Sequence, residues 1–307
     1  MADKQAVFRK RKRDFLDIKP GTNFLFNIIC ILFSLMAIVP FIFVVIISFT
    51  SQASLVKYGY QFIPHEWSLE GYEYILKAGK AIFTSYGISI IVTLVGTLLG
   101  LVLISTYAYV LSRTTYPYRK FFTVVALIPM LFSGGMVANF MLVSSILGLM
   151  DNIWALILPL AVSPFYIFVM KSFYLTTVPD GIIESARIDG ASELRTFTSI
   201  VLPISKPGLA TVGLFLTLGY WNDWFNTALY INSQTLYPIQ YFLMSIQNNI
   251  QALKSMSGQI PAELLRDIPN ESVQMAIAVL VVVPIACAYP FFQRYFTGGL
   301  TLGAIKG

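Results

Sequence analysis

Six apolar runs, each long enough to cross a bilayer, leave this chain few ways to fold. An α-helix rises 1.5 Å per residue, so about twenty apolar residues span the ~30 Å hydrocarbon core. By that ruler the runs fall at about 24–49, 84–111, 121–145, 153–175, 207–231 and 272–296. Backbone without water to bond must bond itself, which leaves helices or a closed barrel. Runs of this length choose helices. Only 12% of the 307 residues are charged, against about 25% in a soluble domain, so no large soluble domain is expected. The expected fold is an all-α membrane protein with six transmembrane helices. It divides into a basic N-terminus (1–22), a first helix (23–50), an outer segment (51–83), a five-helix core (84–297) and a tail (298–307). The third and fourth runs lie so close that the turn around Gly148–Asn152 must be tight.

Lys and Arg between spans set the orientation. Sixteen of 21 fall at the N-terminus, between spans two and three, around the connection between spans four and five, and in the tail. Only Lys57, Lys77, Lys80, Lys254 and Arg266 fall on the other side. Both termini and the connection at 177–207 are therefore expected in the cytoplasm. The run Arg9-Lys10-Arg11-Lys12-Arg13 has the composition of a nucleic-acid patch or of a signal-peptide start. The apolar run behind it is too long for a signal peptide and has no small-residue cleavage site, so it reads as an uncleaved anchor. The net charge of +6 then needs no nucleic acid. On the outer face, Trp67, Tyr72 and Tyr74 could form an interfacial aromatic belt, and the segment 232–271 is rich in amides.

Pro179–Pro207 does not match its surroundings. Asp180, Glu184, Asp189 and Glu193 sit among Arg187, Arg195 and Lys206, so the segment must project into water. Ile183, Ala186, Ile188, Ala191, Leu194 and Phe197 recur at nearly helical spacing and predict one apolar stripe. A short amphipathic helix held out by a membrane protein is a handle for another protein.

No enzyme site emerges. One histidine, His65, cannot build a His-based zinc site, and no Gly-x-x-x-x-Gly-Lys-Ser/Thr phosphate loop is present. Cys30 and Cys287 both fall in apolar runs and read as small buried residues. Ser133-Gly134-Gly135 lies inside span three, where small residues permit close helix packing. Pro40, Pro129, Pro159, Pro164, Pro284 and Pro290 read as packing kinks. Lys171 can snorkel to the interface. Asp223 lies about 24 Å along span five from Pro207, where an acid costs roughly 2.5–3.5 kcal/mol on insertion scales. It should face protein or a water-filled cavity. Its neighbours are Tyr220, Trp221, Asn222, Trp224 and Asn226. Rings that stack on C–H faces beside amides that pair with hydroxyls suit a sugar. A hydrogen-bond cluster between helices suits the same residues. A single buried acid without an inverted repeat argues against a proton-coupled carrier. A stand-alone ion-coupled carrier nevertheless stays open as an alternative.

The 177–207 connection also resembles a known signature. Glu184-Ser185-Ala186, then Gly190, then Ile200-Val201-Leu202-Pro203 is similar to the Glu-Ala-Ala…Gly…Ile-x-Leu-Pro pattern of permease subunits in bacterial type I ABC importers. Ser185 stands where that pattern has Ala. Phe132–Gly135, Trp154–Pro159, Ile188–Ala191, Trp221–Trp224 and Tyr295–Gly307 extend the resemblance to the MalG-related, LplC/YtcP-like carbohydrate branch. The resemblance implies a MetI-like core with both termini inside, in the bacterial cytoplasmic membrane. It implies a second permease, two ATPase subunits that bind ATP and Mg²⁺, and an extracytoplasmic solute-binding protein or lipoprotein. It makes Glu184, Ser185, Ala186, Asp189, Gly190, Ile200, Leu202 and Pro203 a coupling element seated on an ATPase, with Glu184 paired to a base and Gly190 at a sharp turn. It carries Gly303, Lys306 and Gly307 in a tail between the ATPases, and gives the outer loop 232–271 a role in probing the binding protein. The implied cargo is an oligosaccharide or polysaccharide fragment. A non-sugar solute is the alternative within the same architecture.

Overall fold

A computed structural model of the chain describes residues 20–77, 79–255 and 271–303. The described residues are helical apart from turns, loops and one antiparallel bridge between Thr50 and Trp67. Three helices are long and apolar enough to cross a membrane unbroken. These are α1 (Pro20–Ser48), α4 (Lys80–Ser112) and α15 (Glu271–Gly303). Between α1 and α4 lie α2 (Gln52–Tyr58) and α3 (Glu70–Leu76). α15 runs on through 298–303, where the sequence suggested a separate tail.

The other three expected spans are broken. Span three divides into α5 (Arg119–Leu131) and α6 (Gly135–Met141), the latter extended by a π turn to Ile146, with a bend of 116° between the halves. At thirteen residues α5 is about 20 Å long, short of the hydrocarbon core. The reason is local. Pro129 lies two residues before its end, and Gly135 takes φ +79°, a left-handed value closed to most L-residues, while its N–H donates to Ser133 Oγ at 3.2 Å. Gly134 and Gly135 therefore turn the chain and do not seat a neighbouring helix, which corrects the sequence expectation. Span four bends by 48° between α7 (Trp154–Ala161) and α8 (Pro164–Thr177), where Pro164 opens α8. Span five stops early. α12 (Lys206–Trp221) gives way to a turn at 222–224 and then α13 (Phe225–Tyr230).

The connection ahead of α12 holds α9 (Asp180–Ile188), α10 (Glu193–Thr196) with a π turn at 197–201, and α11 (Leu202–Ile204). The 193–204 stretch meets α12 at 81°, so it runs across the end of the bundle. After α13, α14 (Ile239–Ser255) buries Ile239, Leu243 and Ile250 against Ile75, Val273 and Trp221. The described part of the amide-rich 232–271 segment is thus largely an amphipathic helix packed on the bundle, with Asn248 and Asn249 outward.

α4 is the central post, packed by α7, α8 and α12, while α15 packs on α1, α3 and α12. Two glycines four residues apart make the close approach possible. A Cβ on Gly96 would lie 2.4 Å from the Tyr220 ring, and one on Gly100 would lie 2.8 Å from the Ala161 carbonyl oxygen. The Gly96-x-x-x-Gly100 spacing is the small-residue pattern that lets helices touch within a membrane. The aromatic belt is also redrawn. Trp67 is exposed, but Tyr72 and Tyr74 pack on the core beside Ile75. Cys30 and Cys287 face outward, not inward as expected.

Candidate functional site

The 179–207 connection is held to the bundle by buried contacts, a helix-ending turn and ion pairs. Asp180 sits in the first turn of α9, where a carboxylate meets the positive end of the helix, and pairs with Arg113 Nη1 at 3.6 Å. Ile183 and Ala186 are buried, and Ile183 packs with Tyr174, Val178 and Phe197. The helix ends in a Schellman turn. Ala191 N–H donates to Ala186 O at 2.9 Å, Gly190 N–H donates to Arg187 O at 3.0 Å, and Gly190 has φ +78°. Ser192 then caps α10 by accepting from Arg195 N–H at 3.3 Å.

Because the chain turns at Gly190, the expected single stripe does not form. Ile183, Ala186 and Phe197 face the bundle, whereas Ile188 and Leu194 are 86% and 72% exposed. Glu184 and Asp189 also face outward, and Ser185 Oγ donates to its own helix at Gly181 O, 2.8 Å. Of the second half of the signature, Leu202 packs on the core, Ile200 is half-buried and Pro203 is exposed. Leu202 therefore holds the segment to the bundle, while the residues around Glu184 and Gly190 present a face.

An ionic network not anticipated from the sequence bolts this segment to the turn after α4. Arg187 Nε donates to Glu193 Oε1 at 3.0 Å, its Nη2 donates to the same oxygen, and Nη2 also reaches Thr115 Oγ1 at 3.4 Å. Tyr109 OH donates to Glu193 Oε2 at 2.9 Å. The Arg113 guanidinium stands 5.1 Å from the Tyr109 ring centroid, and its side chain is only 7% exposed. The Arg187 hydrogen bonds hold the Glu193 carboxyl below the usual carboxylate range. The pair is therefore intact at neutral pH and is lost only in acid, as pH falls through that lowered value. Arg113 was legible only as a cytoplasmic charge, because its partner Asp180 is 67 residues away in sequence.

The second candidate, around Asp223, is largely committed to the fold. Tyr220 OH donates to Ile157 O at 2.7 Å and is buried. Trp221 Nε1 donates to Val281 O at 3.1 Å on α15, and Tyr86 OH donates to Leu280 O at 3.0 Å. Pro284 cannot donate to Leu280, its i−4 carbonyl. Tyr86 replaces that bond, and Trp221 braces the adjacent carbonyl. Asp223 accepts from Asn226 N–H at 3.3 Å and from Asn226 Nδ2 at 2.8 Å, which starts α13. Asn222 is exposed and donates to Leu218 O at 2.9 Å; Trp224 is exposed.

Two cavities meet at Pro159. One, of about 370 Å³, opens at the α7–α8 break beside Ser163, Tyr166, Phe215 and Gly219. There the Tyr166 and Phe215 rings stack at 6.1 Å and 15°. Peptide groups at Val162 and Ser163 leave helical geometry, and broken backbone at membrane depth is tolerated only inside protein or beside water. The other, of about 250 Å³, is walled by Asn139, Asn226, Phe225 and Tyr230. Neither wall carries Lys or Arg. Asp151, with φ +55°, ties the α6–α7 turn to the chain after α13 by accepting from Asn232 N–H and Ser233 N–H at 3.1 and 2.8 Å.

Known proteins align with this architecture along nearly the whole chain. Residues 108–301 match the family described as binding-protein-dependent transport system inner membrane component. The polygalacturonan/rhamnogalacturonan transport system permease protein YtcP of Bacillus subtilis is 37% identical over 281 residues, covering 90% of this chain and 95% of that one. Protein LplC of the same organism is 36% identical over 274 residues, covering 88% and 90%. Among solved structures, a chain of a bacterial ABC transporter involved in the import of the acidic polysaccharide alginate superposes with a TM-score of 0.76 at 28% identity, covering 91% of this chain and 99% of that chain. With the MetI-like helical fold, a handle at one end and cavities between broken helices, the chain belongs to the family of binding-protein-dependent transport system inner membrane components.

Proposed function

We propose that this chain is one of two permease halves of an ATP-driven carbohydrate importer in the bacterial cytoplasmic membrane, with both termini and α9 on the cytoplasmic side. A second, related permease completes the pathway. Two ATPase subunits carry ATP and Mg²⁺, and an extracytoplasmic binding protein or lipoprotein delivers the sugar. The outward face of α9 and its turn (Glu184, Ser185, Asp189, Gly190) seats on an ATPase. The tail through Gly303 extends towards the ATPases as well; Lys306 and Gly307 lie outside the described residues.

The observation that carries this reading is the mounting of α9, by hydrogen bonds and packing, next to a cavity-lining helix. The Arg187–Glu193–Tyr109 network and the Schellman turn leave the handle little freedom of its own. A push on it therefore travels through Leu202 and Pro203 into α12, whose Phe215 and Gly219 wall the larger cavity. Rigid-body tilting of two such halves gives alternating access.

The cavities favour sugar. Stacked Tyr166 and Phe215 offer ring faces, while Ser163, Asn139 and Asn226 offer hydroxyl-pairing groups. We place the solute path along these residues together with the exposed Asn222 and Trp224, with Tyr220, Trp221 and Asp223 as its supporting shell. Relatives named for polygalacturonan and alginate transport support an oligosaccharide or polysaccharide fragment. The test is uptake into proteoliposomes holding the whole assembly. Transport is expected to require ATP and to fall at least tenfold in Tyr166→Ala with assembly intact; uptake driven by an ion gradient without ATPase subunits would refute the proposal.

A further inference from the structure

Several walls of the smaller cavity meet at one short turn. Asn139 comes from α6, Leu142 and Val143 from the π turn after it, Pro159 from α7, and Asn226 and Tyr230 from α13. Residues 147–152 join α6 to α7 and bond to each of these elements. Leu147 N–H donates to Leu142 O at 2.9 Å and Leu149 N–H donates to Val143 O at 3.0 Å, which folds the connection back on the π turn. Asn152 starts α7, its Oδ1 accepting from Trp154 N–H and its carbonyl from Ala155 N–H, both at 3.0 Å. Between them stands Asp151, whose N–H donates to the carbonyl of Tyr230, the last residue of α13, at 2.8 Å.

The Asp151 carboxylate completes the grip on the chain leaving α13. One oxygen, Oδ1, accepts from the successive N–H groups of Asn232 and Ser233, a concave donor pair of the kind that holds anions. Among the described residues Asp151 is the one non-glycine in the left-handed region. That conformation crowds Cβ against a carbonyl oxygen, and a short side chain that bonds locally is what tolerates it. It aims the N–H and the carboxylate of one residue at the same stretch, 230–233. The grip matters because α13 has only six residues, too few to hold itself as a helix. Carboxylates hold its two ends instead, Asp223 at the first turn through Asn226 and Asp151 beyond the last. Tyr230 is buried, and its ring stacks on Phe140 of α6 with centroids 6.0 Å apart.

We propose that Asp151 is a positioning residue for transport. By pinning the end of α13 to the turn that carries α6 and α7, it sets the spacing between the walls of the smaller cavity. The inference rests on the solute path placed above along Asn139 and Asn226. Asp151 is exposed and does not line the cavity, so it acts through Tyr230 and Asn226 and not by touching the sugar. With the pin in place, the Asn139 amide on one wall and the Asn226 amide on the other face the cavity at a fixed separation. Without it, α13 is held only at its start and by packing, and the two hydroxyl-pairing groups no longer act on one solute together.

Two substitutions separate the acceptor from the backbone conformation. Asp151→Gly keeps the left-handed turn at no steric cost but removes the acceptor. Asp151→Asn tolerates the turn and keeps an oxygen for both N–H groups. The complete assembly is followed in two ways, by hydrogen exchange at the Ala228 and Ile231 amides of α13 and by sugar carried per ATP hydrolysed, with a radiolabelled oligogalacturonide as the probe solute. In Asp151→Gly, exchange is expected to quicken about fivefold, as loss of charge-assisted hydrogen bonds implies. Sugar carried per ATP should fall by a similar factor while hydrolysis stimulated by the loaded binding protein continues, and Asp151→Asn should restore both. Unchanged exchange in Asp151→Gly overturns the proposal, and so does an Asp151→Asn no better than Asp151→Gly. Joint loss of uptake and stimulated hydrolysis overturns it too, because the defect would then lie in assembly. Faster exchange with unchanged sugar per ATP would leave the pin standing but refute the solute path, and the role in transport with it.

Discussion

Replacing Tyr86 by Phe should destabilise the protein only while residue 284 is proline. Pro284 leaves the Leu280 carbonyl without its backbone donor inside the membrane span, and Tyr86 OH fills that vacancy at 3.0 Å. Interhelical hydrogen bonds in membrane proteins average about 0.6 kcal/mol and reach about 1.7. This one serves a carbonyl with no backbone alternative, so Tyr86→Phe is expected to cost about 1–1.5 kcal/mol. In Pro284→Ala the alanine N–H can reach Leu280 O by ordinary helical geometry. The tyrosine hydroxyl then becomes redundant, and adding Tyr86→Phe should cost less than about 0.5 kcal/mol. The assay is reversible unfolding in mixed micelles of increasing SDS fraction, applied to all four members of the cycle. A coupling energy near 1 kcal/mol is expected. Additive costs would show that the hydroxyl does not serve the proline-freed carbonyl, and the bracing argument for Trp221 would fall with it.

Three further outcomes follow from particular contacts. Gly190→Ala should reduce ATPase activity stimulated by the loaded binding protein, because a left-handed alanine costs roughly 1–2 kcal/mol; Gly190→Asn should be milder. A Cβ at this position would meet no atom of the chain within 4 Å, so an effect that tracked side-chain size would point to a clash with a partner. Gly96→Leu should fail to assemble, as its Cβ alone would lie 2.4 Å from the Tyr220 ring, and pull-down of the partner permease reads this out. Glu193→Gln should weaken the mounting of α9 by under about 1 kcal/mol, since the pair is more than one-third exposed. Protease access at Arg187–Arg195 would rise, with uptake lowered but not abolished.

Much of the fold was legible because membrane burial acts on whole runs of residues. Apolar length alone located both ends of α1 and α4 within four residues and the start of α15 within one, though α15 runs seven residues past the expected 296. The breaks in the other spans were harder to read, because proline marks a weakened hydrogen bond without saying whether the helix bends or is braced. Pro284 sits inside a continuous helix, braced by Tyr86 and Trp221, while Pro164 stands at a break. The turn at Gly190 was named by the signature, yet the split of the apolar stripe followed only from its backbone. The roles of Arg113, Tyr109 and Asp151 rest on partners 67 to 84 residues away in sequence, beyond any local pattern. In the Asp223 cluster, composition could not separate groups that bind solute from groups that hold helices. Tyr220 and Trp221 show why, since each bonds a neighbouring backbone carbonyl and each also lines a cavity.

The central claim, that the outward face of α9 receives the stroke of an ATPase, is tested most directly by Glu184→Lys in the purified assembly. Glu184 is exposed, so the exchange leaves the bundle intact while reversing the charge a partner meets. The account predicts unchanged binding-protein docking and loss of sugar-stimulated ATP hydrolysis. Stimulation equal to that of the unaltered assembly would contradict it.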